Sequence, residues 1–590
     1  MADGSCLPSG WVGEKRVEEK MPGRPWQWGA AGLLFVLGLL NVPVRVIGWD
    51  GDGLPGDGID SVLNNYMLEH GYRWLRGQTH FWHAPFFYPT PGMTGTTDPH
   101  IGMLPIYALM RTVGLSAERA FQGWFLCAFV LNFCTAWWAA RQFGFAPLAA
   151  AAAAYVFTFA LSVSAQLYHA QLFHRWLVPP TIVFAWYFLH QPTNRRFVLL
   201  VVCWFGQFLL SAYIGIFLAE LLVVLGVLVA LRHYHLLPWR DLLWANRRVW
   251  LHRTAVVVAV AALLLSIGIR HARVTGPNDH QFLLWCAPEP RSWLVVPPHS
   301  LWSAIYRQLG IDAEDEEGER RLFAGWIPSL ALLIGLGGVL RAARAGTAEA
   351  EQTHRRVAVA LLGWSSLLLA LWVTRWGSFW PYDLVMSVPG INRIRAVGRV
   401  VLVLLFPFGL AVAELLTRVL SRQRWWWKVF GGILVAVLVA EQTLLPTEEQ
   451  HAWAEAVGKI SLSRQVRWQE QLKAILQSHP HPRLVYVFPS ELPPAPVLDH
   501  QHYKLQLLAM RATQDLGLPC INGYSGYLPL KWSFFRNYRD LFDWLLKEHQ
   551  LQPHQLRGLV LVGEPEPDVD PEYEGIMRQQ YPPLPLPPWE

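Results

Sequence analysis

Long apolar stretches alternate with short polar ones along the first three quarters of the chain. Segments of 17 to 22 residues without a charge in their middle recur, and a helix needs about 20 such residues to cross a bilayer. The runs are 26–47, 119–140, 147–165, 174–190, 197–212, 213–231, 255–270, 322–340, 357–374, 400–417 and 429–445, which predicts about eleven transmembrane helices. The first run is too long for a signal-peptide core and no A-x-A-like site follows it, so it reads as an uncleaved anchor. The stretch 197–231 reads as two helices, one long helix being the alternative. The run 101–114 is short and follows a Pro-rich loop, and it reads as an interfacial or re-entrant helix.

Charge orients these runs. Arg141, then Arg195 and Arg196, then Arg232, Arg240, Arg247, Arg248 and Arg253 fall at every second connection. Arg341, Arg344, Arg355 and Arg356, then Arg418, Arg422, Arg424 and Lys428, continue the alternation. Basic connections face the cytoplasm. Residues 1–25 are therefore expected inside, 26–445 form the transmembrane domain, and loops 48–118, 271–321 and 375–399 with the tail 446–590 lie outside. The tail changes character. Arg483–Phe488 (RLVYVF) and Gly558–Val562 (GLVLV) read as strands, while 502–516 and 532–549 carry helical periodicity. The expected fold class is an all-α polytopic membrane bundle with a small C-terminal α/β extracytoplasmic domain and a Pro-rich end.

Composition narrows the classes. Of 590 residues, 53% are hydrophobic and only 16% charged, against about 25% charged in soluble domains. A soluble globular enzyme and a disordered chain are excluded. The six Cys show no CxxC or Cys/His spacing, which argues against a disulfide scaffold and a zinc site. The net charge of +6 does not point to nucleic acid, because the Arg residues sit beside apolar runs. The 31 Trp fit membrane interfaces, which account for most of them; they also stack on sugar faces, so their number is weak evidence for carbohydrate.

Candidate chemistry gathers outside. The first loop begins GWDGDGLPGDGID, with Asp50, Asp52, Asp57 and Asp60 within eleven positions. A carboxylate here serves as general base toward an acceptor hydroxyl, or Asp50, Asp52 and Asp57 hold a hard cation such as Mg, Mn or Ca. Asp57 is equally placed to cap a following helix whose apolar face is Ile59, Val62, Leu63, Tyr66 and Met67, and which is expected to rest in the membrane interface. Asp98 and His100 follow in TTDPHIG, where an acid beside a His handles a metal or a proton, or simply caps a turn. Tyr168, His169 and Gln171 close the third span on the same side. Arg393, Arg395 and Arg399 in PGINRIRAVGR lie outside against the charge rule, and guanidinium groups bind phosphate bidentately; snorkelling to lipid head groups is the alternative. Arg291 is a further basic candidate. The tail segment 522–529 (NGYSGYLP) is placed to close over a site or to form an exposed turn.

In this order, the outer Asp loop, FYPTPGMTGTTDPHIG, the His-x-Gln, SWLVVPPHSLW with a downstream LFAG, VPGINRIRAVGRV and NGYSGYLP resemble polytopic bacterial membrane proteins of the GT-C glycosyltransferase superfamily, from about residue 26 to 563. The resemblance implies a bacterial cytoplasmic membrane location and an active site at the outer face. It implies a sugar donor on polyprenyl phosphate or diphosphate, a glycan, lipid or protein acceptor, and a first-loop Asp as catalytic base or metal ligand. Asp57 matches that position, with Asp98 as second acid; the substrate-binding candidates are His100, His169, Gln171, Arg393, Arg395 and Arg399. Two other classes compete: a transporter or flippase of lipid-linked saccharides, and a non-catalytic assembly protein. Transporters concentrate ionisable groups near the midplane, whereas here the spans are almost free of charge, apart from Glu220 and Glu414, and the acids gather in an outer loop. The enzyme reading is therefore favoured.

Overall fold

A computed structural model describes residues 24–56, 58–98, 100–167, 169–232, 247–275, 279–298, 300–311, 318–337, 350–388, 391–444, 461–489, 498–529 and 531–586. Asp57, Tyr168, Arg240, Arg341 and Arg344 lie outside the described residues.

The protein is mostly helical. Among the described residues, seven helices are long and apolar enough to cross a membrane: Pro25–Ile47, Ala117–Gln142, Pro147–Ser164, Ala212–Arg232, Arg247–Val274, His354–Val373 and Val397–Leu420. The other four expected runs are also helices, Val178–His190, Asn194–Leu210, Trp326–Leu336 and Trp425–Glu441. They have 13, 17, 11 and 17 residues, each below the common span length. The stretch 197–231 is two helices, because Ser211 is extended and turns the chain back on itself. The run 101–114 contains only the nine-residue helix Leu104–Thr112.

The bundle centre is the alanine-rich helix Pro147–Phe159 against Val401–Leu420. All residues of the former are buried. A Cβ at Gly409 would meet the Ala153 carbonyl oxygen at 2.4 Å, so only glycine permits this approach. The two bundle ends differ. At one, Glu414 is 2% exposed and binds Arg355 (2.9 Å), Arg356 (3.3 Å) and Arg418 (2.7 Å). Loss of one partner from such a buried group costs about 3–5 kcal/mol. At the other end four runs are tied together through Gln442. Its backbone oxygen accepts from Asn41 (2.9 Å), its side-chain oxygen accepts from Leu161 N–H (2.8 Å), and its amide donates to Ala324 O (3.0 Å).

The tail folds over this second end. Its strands β1 (Leu484–Val487) and β2 (Leu559–Val562) pair in parallel, and all their residues are buried. The helices Leu462–Ser478 and Leu498–Leu516 pack together, and the latter lies on β1. The helix Asp60–Leu75 departs from the expected interfacial amphipath. Every residue from Ser61 to Tyr72 is buried, polar Asn64, Asn65, Glu69 and His70 included. The tail explains this. Gln514 donates to Tyr66 O (2.9 Å), and the buried pair Arg511–Glu118 (2.7 Å) clamps the tail to the bundle. First-loop backbone joins it, with Phe87 and Tyr88 N–H donating to Asn522 and Cys520 carbonyls.

Candidate functional site

The first loop reaches the bundle through a close backbone contact. Gly102 N–H donates to Leu209 O at 3.1 Å, and a Cβ at Gly102 would lie 2.8 Å from Leu209 backbone carbon. This docks Asp98 and His100 on the tip of the hairpin broken at Ser211, where the Ala212 N–H donates to the Asp98 carboxylate. Asp60 sits in the first turn of its own helix. Glu319 comes from a 3-10 turn, Gly318–Arg320, and Arg399 from the turn that opens the helix Val401–Leu420.

These groups form one chain of alternating charge. Tyr524 Oη donates to Asp60 Oδ1 at 2.8 Å. Asp60 Oδ2 is 2.8 Å from His169 Nδ1, and His169 Nε2 is 3.0 Å from Glu319 Oε1. Arg399 Nε donates to Glu319 Oε2 at 3.1 Å, with a second contact through Nη2. The Arg399 guanidinium also stands 4.6 Å from the Tyr213 ring centre. Tyr213 Oη accepts the Arg395 N–H (3.2 Å), Arg393 Nη1 donates to Thr275 O (3.1 Å), and Asn64 holds Gln171 at 2.7 Å.

Environment sets the protonation states. Burial and the Arg399 charge pull His169 down, but its hydrogen bonds to Asp60 and Glu319 outweigh both and hold it at about 9. It is therefore an imidazolium with both nitrogens protonated. Burial works to raise Asp60, yet the His169 bond and charge, Tyr524 and Arg395 keep it below the ordinary Asp range. Burial likewise raises Glu319, and Arg399 with His169 reverses this, leaving it below its usual value. Asp98 goes the other way. Burial pushes it up to about 6, against the opposing pull of Arg399 and the Ala212 N–H. His100 is 1% exposed, and burial pushes it down to about 4. Neither of its ring nitrogens has a hydrogen-bond partner among the described residues.

Asp60, Asp98, His100, His169, Gln171, Glu319, Arg393, Arg395, Arg399 and Tyr524 all line one cavity of about 1380 Å³. Its polar end sets three carboxylates against four cations. Arg395 forms no ion pair among the described residues, while Arg399 is committed to Glu319. From this end the cavity runs into an apolar limb between the helices Asn194–Leu210, Ala212–Arg232 and Arg247–Val274. Limb residues Val223 (65% exposed) and Leu265 (63%) also face the outside of the bundle. The limb thus opens where acyl chains would lie.

No family model and no curated protein sequence matches the chain. Solved structures similar to it include two glycosyltransferases. One is the apo form of the Archaeoglobus fulgidus oligosaccharyltransferase, with TM-score 0.43, 13% identity, and coverage of 89% of this chain and 68% of that one. The other is the arabinofuranosyltransferase AftD from Mycobacteria, in a mutant form, with TM-score 0.43, 15% identity and 93% of this chain covered. The chain spans only 37% of that second protein.

The expected acids separate into two groups. Asp98 lines the cavity. Asp50 and Asp52 do not, and both serve local structure. Asp50 Oδ1 accepts the Asp52 N–H (3.1 Å), and the Asp52 carboxylate accepts from Ser463 N–H (2.8 Å) and Oγ (3.0 Å) at the start of the tail helix Leu462–Ser478. For a cation, the donor set fits poorly. The His169 ring already joins Asp60 to Glu319, and no cluster of three or more His, Cys, Asp or Glu among the described residues forms a metal group. Arg291 is apart from the cavity and pairs with Glu289 at 3.5 Å. Sequence reasoning did not single out Asp60, Glu319 or Tyr213 as site residues. Asp60 stood in the same acid run as Asp57. Glu319 closes the stretch AEDEEGE, which reads as solvated charge, and Tyr213 sits in an ordinary apolar run.

Proposed function

We propose that the protein is an integral-membrane glycosyltransferase that moves a sugar from a lipid-phosphate donor to an acceptor at the extracytoplasmic face. One observation supports the reading: a single cavity joins Arg395, which forms no ion pair among the described residues, and the Asp98 carboxyl to an apolar limb open at the bundle surface. A lipid-linked sugar phosphate has this polarity. Its chain fits the limb, its phosphate meets Arg395 and Arg393, and its sugar lies by Asp98.

In the reaction, the acceptor hydroxyl oxygen attacks the anomeric carbon as its proton passes to Asp98. The bond from the anomeric carbon to the phosphate oxygen breaks, and the lipid phosphate keeps the electron pair. Arg395 receives that charge bidentately. A base near pKa 6 is deprotonated at neutral pH and more basic than an ordinary Asp. Asp60 has both oxygens engaged and acts as a positioning residue. His169 is an imidazolium at neutral pH and supplies fixed positive charge. Asp57, three residues before Asp60, is the competing proposal for the base. No step here runs through a divalent cation.

The reading includes eleven crossings in a bacterial cytoplasmic membrane, with residues 1–25 inside and 446–590 outside. The opposite placement of the Glu414–arginine cluster and the Asp60–Arg399 chain supports it. The test supplies purified protein in detergent with labelled polyprenyl-phosphate sugars and follows transfer to candidate acceptors. Loss of transfer on Asp98→Asn with Asp57→Asn active assigns the base to Asp98; the reverse result assigns it to Asp57.

A further inference from the structure

Among the described residues, the carboxyls within the expected membrane runs are Glu220, Glu414 and Glu441. Glu441 accepts from the backbone N–H groups of Trp326 (2.9 Å) and Ile327 (3.2 Å). Glu414 is surrounded by three arginines. Glu220 has no cationic partner among the described residues. It lies in the helix Ala212–Arg232 and lines the apolar limb of the cavity. Its Oε1 accepts from Tyr382 Oη at 2.8 Å. Tyr382 is wholly buried and comes from the outer turn Pro381–Val385, which dips into the bundle to reach it. The second oxygen, Oε2, is buried and has no hydrogen-bond partner among the described residues. Around it the limb is apolar, with Val223, Leu264, Leu265, Leu369 and Trp372 among its walls.

An unpaired polar atom in such surroundings is costly, and ionisable groups at membrane depth usually mark function. Packing does not require this one, since an apolar side chain would fill the same wall. Tyr382 fixes one oxygen and leaves the other for a ligand.

We propose that Glu220 and Tyr382 form a polar subsite for a hydroxyl carried on the lipid chain of the ligand. The proposal rests on the lipid-phosphate reading above. A hydroxyl both donates and accepts, so it satisfies the carboxyl in either protonation state. Its depth follows from the helix. Ala212 and Tyr213 stand beside Asp98 and Arg395. Glu220 is seven to eight residues further on, about 10–12 Å along the axis. The ligand is therefore a chain with a hydroxyl at about that distance from its phosphate. A plain hydrocarbon chain would leave Oε2 unsatisfied and bind less well. The site thereby selects among lipids with the same head group.

The experiment uses the full chain in detergent and competition against a tritiated alkyl phosphate. The competitors are alkyl phosphates of equal length: one plain, one with a secondary hydroxyl about 10–12 Å from the phosphorus, and one with the hydroxyl at the chain end. The mid-chain hydroxyl probe should displace the label at roughly fivefold lower concentration than the other two. Glu220→Leu should remove that preference, and Glu220→Gln, which keeps an acceptor oxygen, should retain most of it. Equal displacement by all three probes overturns the proposal, with no variant needed. So does a preference that survives in Glu220→Leu. If the label binds and Arg395→Ala weakens all probes equally, the lipid-phosphate reading stands whatever the hydroxyl does. If no alkyl phosphate binds, that reading falls and takes the subsite with it.

Discussion

Replacing Asp98 by Asn should make the protein more stable and nearly inactive. The carboxyl titrates at about 6 in the fold, against an ordinary value of 3.8. Between these pH values the native state keeps a proton that the unfolded chain releases. Stability therefore falls as pH rises across that window, and the full cost is present above it. Each unit of displacement is 1.36 kcal/mol, so the charged carboxyl costs at most about 3 kcal/mol, and its exposure to a cavity brings this nearer 1–2 kcal/mol. Asn removes the charge and still offers an oxygen to the Ala212 N–H. The same change removes the base, which is worth about 10²–10⁴-fold in rate. Two assays read these effects. Thermal midpoints in detergent should be higher for Asp98→Asn than for wild type at pH 7.5 (about neutral conditions), and should converge near pH 4. Transfer by the wild type should rise with pH through about 6 and then level off. A variant that melts lower than wild type at neutral pH and keeps normal transfer would refute the reasoning on both counts.

Three further outcomes follow from other contacts. His169 is raised from 6.5 to about 9, so its stabilisation, at most about 3 kcal/mol, is complete below 6.5 and is lost as pH climbs through about 9; midpoints of wild type should fall across that window and those of His169→Gln should not. Asp52→Ala should cost about 1 kcal/mol by leaving the Ser463 N–H at the start of the tail helix without its carboxylate while transfer persists, and metal-dependent loss of transfer would show instead that Asp52 works in the site. A reporter active only in the cytoplasm, fused after Glu590, should stay silent; a strong signal would invert the orientation and place the cavity inside.

What was legible in the sequence was local. Apolar runs gave the helices because a span's pattern is contained in its own 20 residues. RLVYVF and GLVLV gave β1 and β2 for the same reason. The spread of Arg residues was also readable, and the trio Arg393, Arg395 and Arg399 stood out as an exception to it. Which of the three is tied up in an ion pair was not readable. That depends on Glu319, which is 80 positions from Arg399 and hidden in a run of acids. The helix Asp60–Leu75 was read as interfacial because its neighbours were invisible: the group that covers Tyr66 is Gln514, 448 positions away. The Asp60–His169–Glu319 chain was missed likewise, since its members come from three separate segments of the sequence. The tail segment 522–529 was open between a lid and an exposed turn. Tyr524 bonded to Asp60, with Gly526 and Tyr527 on the cavity wall, makes it part of the site.

The central claim is that the cavity holds a sugar phosphate on a lipid and that Arg395 takes the phosphate. The most direct measurement is steady-state transfer from labelled polyprenyl-phosphate sugar by purified wild type, Arg395→Lys and Arg395→Ala. The account predicts measurable transfer by wild type. Arg395→Ala should lose about 10²–10³-fold in kcat/KM, the loss seen when one stabilising donor is removed from a developing anion. Lys should recover only part, because it offers no bidentate fork. Normal kinetics in Arg395→Ala, or no transfer by a well-folded wild type from any polyprenyl-phosphate sugar, would contradict it.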